Sequence, residues 1–296
     1  MAQQLVNAIV LGSVLTLFAL GLSLAWGTLD VLNLAHGALF VFAGYLAYEL
    51  TKSTSLSFVP ILVIAMAGSG IAAVAMELVA FRRIRTSFPN KRQAELSMLV
   101  ASIGASILLN QYVANKTDNQ GFSPADRLFT VHGYDVLGLK ITNIQILIVV
   151  VAIAVAVALD YAIRRSRQGR AVRAVAYDPG TAEMLGVNVN LLSAATMFIS
   201  GALAGLAGVL LAINIGGEDI ATGEYYLLTA FAILIVGGVG SIRGALIAAY
   251  LIAIAETAVI AYGPSEYRDG VAFLLILMVL LVRPQGLFAR QRVQRV

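Results

Sequence analysis

The chain has 296 residues, of which 59% are hydrophobic and 12% charged, with a formal net charge of +4 and a mean hydropathy of +0.87. A soluble domain carries about 25% charged residues, so this composition excludes one and predicts a polytopic membrane protein. With no cysteine there are no disulfides or thiolate metal sites, and two separated histidines argue against a histidine-based metal centre.

A bilayer core about 30 Å thick is crossed by about 20 apolar residues in a helix, because lipid offers no partner to backbone N–H and C=O groups. Residues 1–26 contain no charged side chain and no basic leader region, so they are expected to form a first span, with 5–26 as its core, and not a cleaved signal. The next stretch, "LDVLNLAHGALF" at 29–40, places Asp30, Asn33 and His36 where an uninterrupted helix would run. The apolar segment 37–48 reaches spanning length only if residues 31–36 are counted in, which predicts a break at membrane depth. Further spans are expected at 57–76, 96–114, 141–159 and within 184–217, followed by the glycine-interrupted 225–242, by 244–262 with Glu256 inside it, and by the short 270–282. The predicted fold is thus all-α, a single transmembrane domain over 1–296 with about eight to nine helices and at least one broken or re-entrant segment.

Fourteen of the 20 lysines and arginines fall in three segments: 82–92, 164–173 and the tail with Arg283, Arg290, Arg292 and Arg295. By the positive-inside rule these are cytoplasmic, which with nine crossings puts the N-terminus outside and the C-terminus inside. Residues 115–140 and the acidic stretch Glu218, Asp219 and Glu224 then belong to outer loops. The second arginine-rich segment, 164–190, is too polar to insert. In it Ala171, Val172, Val175 and Ala176 share one helical face, and Asp178-Pro179-Gly180 starts a further turn that ends at Gly186. It reads either as a loop held on anionic headgroups or as a docking element for a cytosolic partner.

Four blocks carry a resemblance: "LSLAWGTLDVLNLAHGALFVFAGYLAY" near the N-terminus, "GRAVRAVAYDPGTAEMLGVNV" with the following "MFISGALAGLAGVLLA", "ILIVGGVGSIRGALIAAYLIAIAE", and the terminal "RPQGLF". In that order they resemble the permease subunits of ABC importers of the branched-chain amino-acid class, and the "NLAHG" block resembles the H-type subunit of the hydrophobic amino-acid uptake family more than the M-type. The resemblance implies the ABC importer permease fold in a bacterial inner membrane. It also implies a second homologous permease, two cytosolic ATPase subunits, an extracytoplasmic substrate-binding protein, membrane lipid and a small-molecule solute as partners, and no nucleic acid. The chain has no GxxxxGK[ST] phosphate loop, so ATP and magnesium are expected on the partner subunits, with no cofactor on this chain and no enzymatic activity of its own. Branched-chain amino acids are the solutes implied, with urea, amides or aromatic acids as alternatives; Ala38 after the His-Gly pair departs from the glutamate of urea-type relatives.

The same resemblance assigns ATPase coupling to an Ala-x-x-x-Gly core, Ala182 to Gly186 with Glu183 between, and to Arg170, Arg173 and Asp178 at its rim. The substrate path is expected to involve Asn33, His36, Gly37 and Glu256. For Asn33 and His36 an alternative stays open, in which Asn33 caps the following helix and His36 is hydrogen-bonded inside the bundle. Asp30 is expected to pair with a basic residue, and Glu77 and Asp160 to form ion pairs at helix ends. A stand-alone secondary transporter would need more intramembrane ionisable groups than Glu256 supplies. An intramembrane hydrolase built on Ser13 or Ser23 with His36 lacks a GxSxG elbow.

Overall fold

The computed structural model describes residues 1–88, 90–124, 128–136, 138–264, 267–283 and 286–288; Arg290, Arg292, Arg295 and the Pro284-Gln285 pair of the last block lie outside them. The helices are α1 (Ala2–Leu29), α2 (His36–Ser53), α3 (Phe58–Met76), α4 (Arg82–Ser87), α5 (Lys91–Thr117), α6 (Asn143–Arg165), α7 (Arg167–Tyr177), α8 (Pro179–Met184), α9 (Val189–Ile215), α10 (Ile220–Gly237), α11 (Ile242–Tyr262) and α12 (Arg268–Val282). Among the described residues seven helices are long and apolar enough to cross a membrane: α1, the continuous α3–α4, α5, α6, α9, α10 and α11. The chain is an all-α polytopic membrane protein; besides these seven, the described residues include the 18-residue α2 and, within α12, the shorter apolar stretch Gly270–Val282.

Local chemistry sets the helix ends. The side chains of Asn90, Thr142, Asn188, Asp219 and Ser241 each accept a backbone N–H in the first turn of the helix that follows, satisfying donors that have no partner within that helix. Between α3 and α4 the backbone passes through a π-helical turn at Glu77–Phe81, and buried Glu77 reaches Arg85 as an ion pair. Asp160 likewise pairs with Arg164 at 2.7 Å and with Arg243 at 3.3 Å. These pairs were expected at the arginine-rich end.

The interior is built on α1 and α9, whose apolar windows are 89% and 83% buried. Helix α1 packs against α9, α11 and α6, while α9 also packs against α2 and α3. Small residues set these distances: a Cβ on Gly208 of α9 would overlap the Phe40 carbonyl of α2, so the two backbones touch.

At the end opposite the arginine-rich segments the expected irregular loop contains a short hairpin, β1 (Gly133–Val136) with β2 (Leu139–Thr142). Its turn uses Gly138 at φ +78, whose N–H is accepted by Asp135, and its second strand is tied to α1 through two hydrogen bonds between Gln3 and the Lys140 backbone. Four-residue strands are too short to register as alternation against a loop composition rich in Gly and Asp.

Candidate functional site

The interruption after α1 is a real break. Helix α1 ends on Asp30, which adopts the left-handed conformation at φ 52 and donates its N–H to the Trp26 carbonyl. Its carboxylate accepts from Lys91 at 2.7 Å, so the aspartate holds the helix end against the start of α5. Residues 31–34 then fold back along α1 without helical bonds, and Val31, Asn33 and Ala35 are buried. Backbone groups in such a segment must find partners inside the protein. Asn33 Oδ1 accepts the Ala35 N–H at 3.0 Å, and the Leu34 N–H goes to Ser102 Oγ on α5 at 3.1 Å.

Helix α2 therefore starts deep in the bundle. His36, fully buried, donates from Nε2 to the Phe18 carbonyl at 3.1 Å, and its ring lies 4.6 Å from that of Phe18. Phe18 lies eleven residues before the end of α1, roughly 16 Å along the helix axis. Beside it, a Cβ on Gly37 would overlap the Gly223 carbonyl, so the first turns of α2 and α10 touch backbone to backbone. Both Asn33 Nδ2 and His36 Nδ1 are buried with no hydrogen-bond partner among the described residues.

A cavity of about 480 Å³ lies along the first half of α1 and the start of α10, next to the first turns of α2. Its apolar side is built from Val10, Leu11 and Val14 of α1 with Leu211 and Ile215 of α9. Its polar side holds Asp219, Tyr225, Tyr226 and Arg268. Behind Tyr225 sits Glu256, 1% exposed, whose Oε2 accepts the Tyr225 hydroxyl at 2.8 Å and faces Arg268 Nε at 3.5 Å. The Arg268 guanidinium lies 4.5 Å from the Tyr225 ring centroid. Glu256 is thus part of an Arg–Tyr–Glu cluster at the cavity wall, and Tyr226 links it to the start of α2, since its ring lies 5.2 Å from that of Tyr225 and 5.5 Å from that of Phe40. Sequence reasoning missed Arg268. Its signal is an arginine opening an apolar helix at the end opposite the arginine clusters, where the positive-inside bias makes one unusual.

The acidic stretch also differs from a plain outer loop. Asp219 caps α10 through a reciprocal pair with Thr222, and Glu218 is 4% exposed beneath a backbone bridge to Phe122.

At the arginine-rich end, 164–190 forms the two expected short helices. Helix α7 folds sharply against the end of α6, where a Cβ on Gly169 would overlap the Ala162 and Ile163 carbonyls, and Arg173 donates to the Ile163 carbonyl. Helix α8 starts on Asp178, whose Oδ1 accepts the N–H of Gly180 at 2.9 Å and of Thr181 at 3.2 Å. Hydrogen bonds from the Thr181 hydroxyl and backbone hold the Asp178 carboxyl below the usual carboxylate range. Ala182 is buried against the bundle, Arg170 and Glu183 are exposed, and Gly186 ends the unit at φ +87, a conformation that favours glycine. The residues missed in sequence are Tyr177, Met184 and Leu185, which are 80%, 82% and 78% exposed. Three large apolar side chains standing out of a basic loop are the signal that was available.

The structure thus combines a break inside the bundle, a cavity along the first half of α1 and exposed apolar side chains at the arginine-rich end. Comparison with known proteins places the chain in a family. Residues 4–280 match the family model described as branched-chain amino acid transport system / permease component. The chain is 34% identical to the high-affinity branched-chain amino acid transport system permease protein LivH of Escherichia coli, over 99% of this chain and 97% of that protein. It is also 34% identical, with the same coverage, to the corresponding permease protein BraD of Pseudomonas aeruginosa. Among solved structures, PsaBC from Streptococcus pneumoniae in complex with Fab aligns with a TM-score of 0.48 and 13% identity, covering 96% of this chain and 92% of that one. With a family model spanning nearly its whole length and full-length relatives at this identity, the chain belongs to the family of permease components of branched-chain amino acid transport systems.

Proposed function

We propose that this chain forms one half of the membrane passage of an ATP-driven importer of branched-chain amino acids, with a second permease as the other half. Two ATPases binding ATP and magnesium dock on the arginine-rich face, and a binding protein delivers substrate at the opposite face. The chain is then multi-pass in the plasma membrane, with its N-terminus outside and its C-terminus in the cytoplasm, and catalyses no reaction itself. Asn33, His36 and Gly37 hold the break between α1 and α2 beside the passage, and Glu256 stands at its outer mouth.

The observation that carries this reading is the α7–α8 unit. Its backbone is fixed by Asp178 and Gly186, Ala182 seats it on the bundle, and Tyr177, Met184 and Leu185 project outward with nothing among the described residues to cover them. Exposed apolar anchors on a rigid support are what a partner cleft takes up. Arg170, Arg173 and Glu183 flank them, with Arg173 also bracing the unit on α6.

Mild-detergent copurification of the chain from native membranes, with mass spectrometry of what accompanies it, tests the reading. A second permease and ATPases should accompany the native chain and fall away from a Gly186→Trp variant, which forces a bulky side chain into a left-handed position. Glu183→Lys should uncouple ATP hydrolysis from uptake. Recovery of the chain alone or as a homodimer, under conditions that preserve other complexes, would overturn the proposal.

A further inference from the structure

We propose that Arg268 is the residue that receives the substrate carboxylate, in the cavity between α1, α9 and α10. The inference rests on the importer reading and adds the chemistry of recognition within this chain. The cavity offers one cationic and one anionic side chain, Arg268 and Asp219, against an apolar wall formed by Val10, Leu11 and Leu211. A branched-chain amino acid has that composition: a carboxylate, an ammonium group and an aliphatic body. At about 480 Å³ the cavity falls in the range of about 300–1,000 Å³ typical of small-molecule sites.

Arg268 is held ready and is not fully engaged. Glu256, the Tyr225 ring and the neighbouring Tyr226 keep the guanidinium at the wall, yet the side chain remains 32% exposed while Glu256 behind it is 1% exposed. The Nε of Arg268 is buried and only approaches Glu256, at 3.5 Å, the long limit of a hydrogen bond. An arginine so placed neutralises the buried glutamate while its planar fork of donors stays available to a carboxylate. Asp219 is fixed by its bonds to Thr222 at the first turn of α10, which gives the ammonium group a rigid counter-pole. A zwitterion entering between them brings no net charge into the site, which limits the desolvation cost of passage.

The chain has no cysteine, so Arg268→Cys introduces a single addressable thiol. The complex copurified with the chain is reconstituted in proteoliposomes, and uptake of radiolabelled leucine is followed with saturating binding protein and ATP. The variant should assemble and lose uptake by at least about tenfold, the scale of one charge-assisted hydrogen bond. Reaction with 2-aminoethyl methanethiosulfonate, which restores a positive charge, should recover uptake, while the sulfonatoethyl reagent should not; the wild-type complex treated with each reagent controls for thiols on partner subunits. A second variant covers failure to assemble. Arg268→Gln with Glu256→Gln removes both charges, leaves neither uncompensated, and should assemble with uptake still lost. Wild-type uptake in either variant, or recovery with both reagents alike, would show that Arg268 only neutralises Glu256 and would overturn the assignment. Failure of the wild-type complex to move leucine would count against the importer reading instead.

Discussion

Helices α1 and α6 are both long and apolar, and α6 is the more hydropathic, yet 89% of the apolar window of α1 is buried in the protein against 17% for α6. Hydropathy therefore does not decide which helix is interior. In lipid it cannot, since an acyl chain is as apolar as a leucine and offers no reason to prefer protein. The difference lies in small and hydroxylated residues. Helix α1 carries Gly12, Ser13, Thr16, Gly21 and Ser23, whereas α6 has no glycine, serine or threonine. The Ser13 and Thr16 hydroxyls bond back to the Ile9 and Gly12 carbonyls at 2.7 Å, so they are buried with their hydrogen bonds made. At Gly21 the space of a side chain is taken by the Ser200 carbonyl and the His36 ring. Small residues let neighbours approach, and that close packing holds the bundle together.

The largest test of this contrast places the same substitution on an interior and a peripheral helix. Gly208→Leu on α9 drives a side chain into the Phe40 backbone, whereas Gly104→Leu on α5 is made where an added Cβ meets nothing within 4 Å. The first should abolish recovery of folded protein, as overpacking costs about 1–3 kcal/mol or more, and the second should leave it unchanged. Fluorescence-detected size-exclusion chromatography reads both, and equal recovery would break the comparison. A smaller effect separates truncations. Leu15→Ala, at a fully buried site, should lower stability by about 2 kcal/mol, and Leu108→Ala, 74% exposed, by less than about 0.5 kcal/mol. Thermal melting of the detergent-solubilised protein checks the order. Smaller again is Asn33→Leu, which removes the bond to the Ala35 N–H and should cost about 1 kcal/mol while lowering uptake. If the variant does not assemble at all, the side chain is needed to form the break itself.

These contrasts show what was legible in the sequence. Each expected span lies largely within a helix, because twenty apolar residues have few alternatives in a bilayer. The break at 30–35 was legible because Asp30, Asn33 and His36 are polar where nothing polar is needed for spanning, and the ion pairs of Asp30, Glu77 and Asp160 followed from arginine and lysine placement. Tertiary pairing was not legible. Glu256 was visible as a mid-span charge, but its partners Tyr225 and Arg268 come from two other helices, and no spacing along the chain announces that. The exposure of Met184 and Leu185 was hidden for a related reason. A short helix does not state which face the bundle will claim until Ala182 is seen to be the one that is buried.

Glu218 gives the finest test, because it is the opposite of Ser13 and Thr16 on α1: a polar group buried with no bond made. Its carboxyl rests on Gly44 of α2, 4% exposed, and neither oxygen has a hydrogen-bond partner among the described residues. Burial, with a smaller contribution from the neighbouring Asp219 charge, pushes its pKa well above the usual carboxylate range. A carboxyl whose folded-state pKa is raised keeps its proton where the unfolded chain has lost it. Its contribution to stability is therefore fully present below the ordinary carboxylate pKa and is lost as pH rises through the folded-state value. Glu218→Gln retains the shape and cannot ionise. Its melting temperature should match the wild type in acid and exceed it increasingly as pH rises, until the wild-type carboxyl has fully titrated. Melting curves of the solubilised protein across that range decide the matter. A glutamine variant less stable than wild type at neutral pH would mean that the carboxylate is charged and compensated, and that burial in this bundle does not require each polar group to be either bonded or neutral.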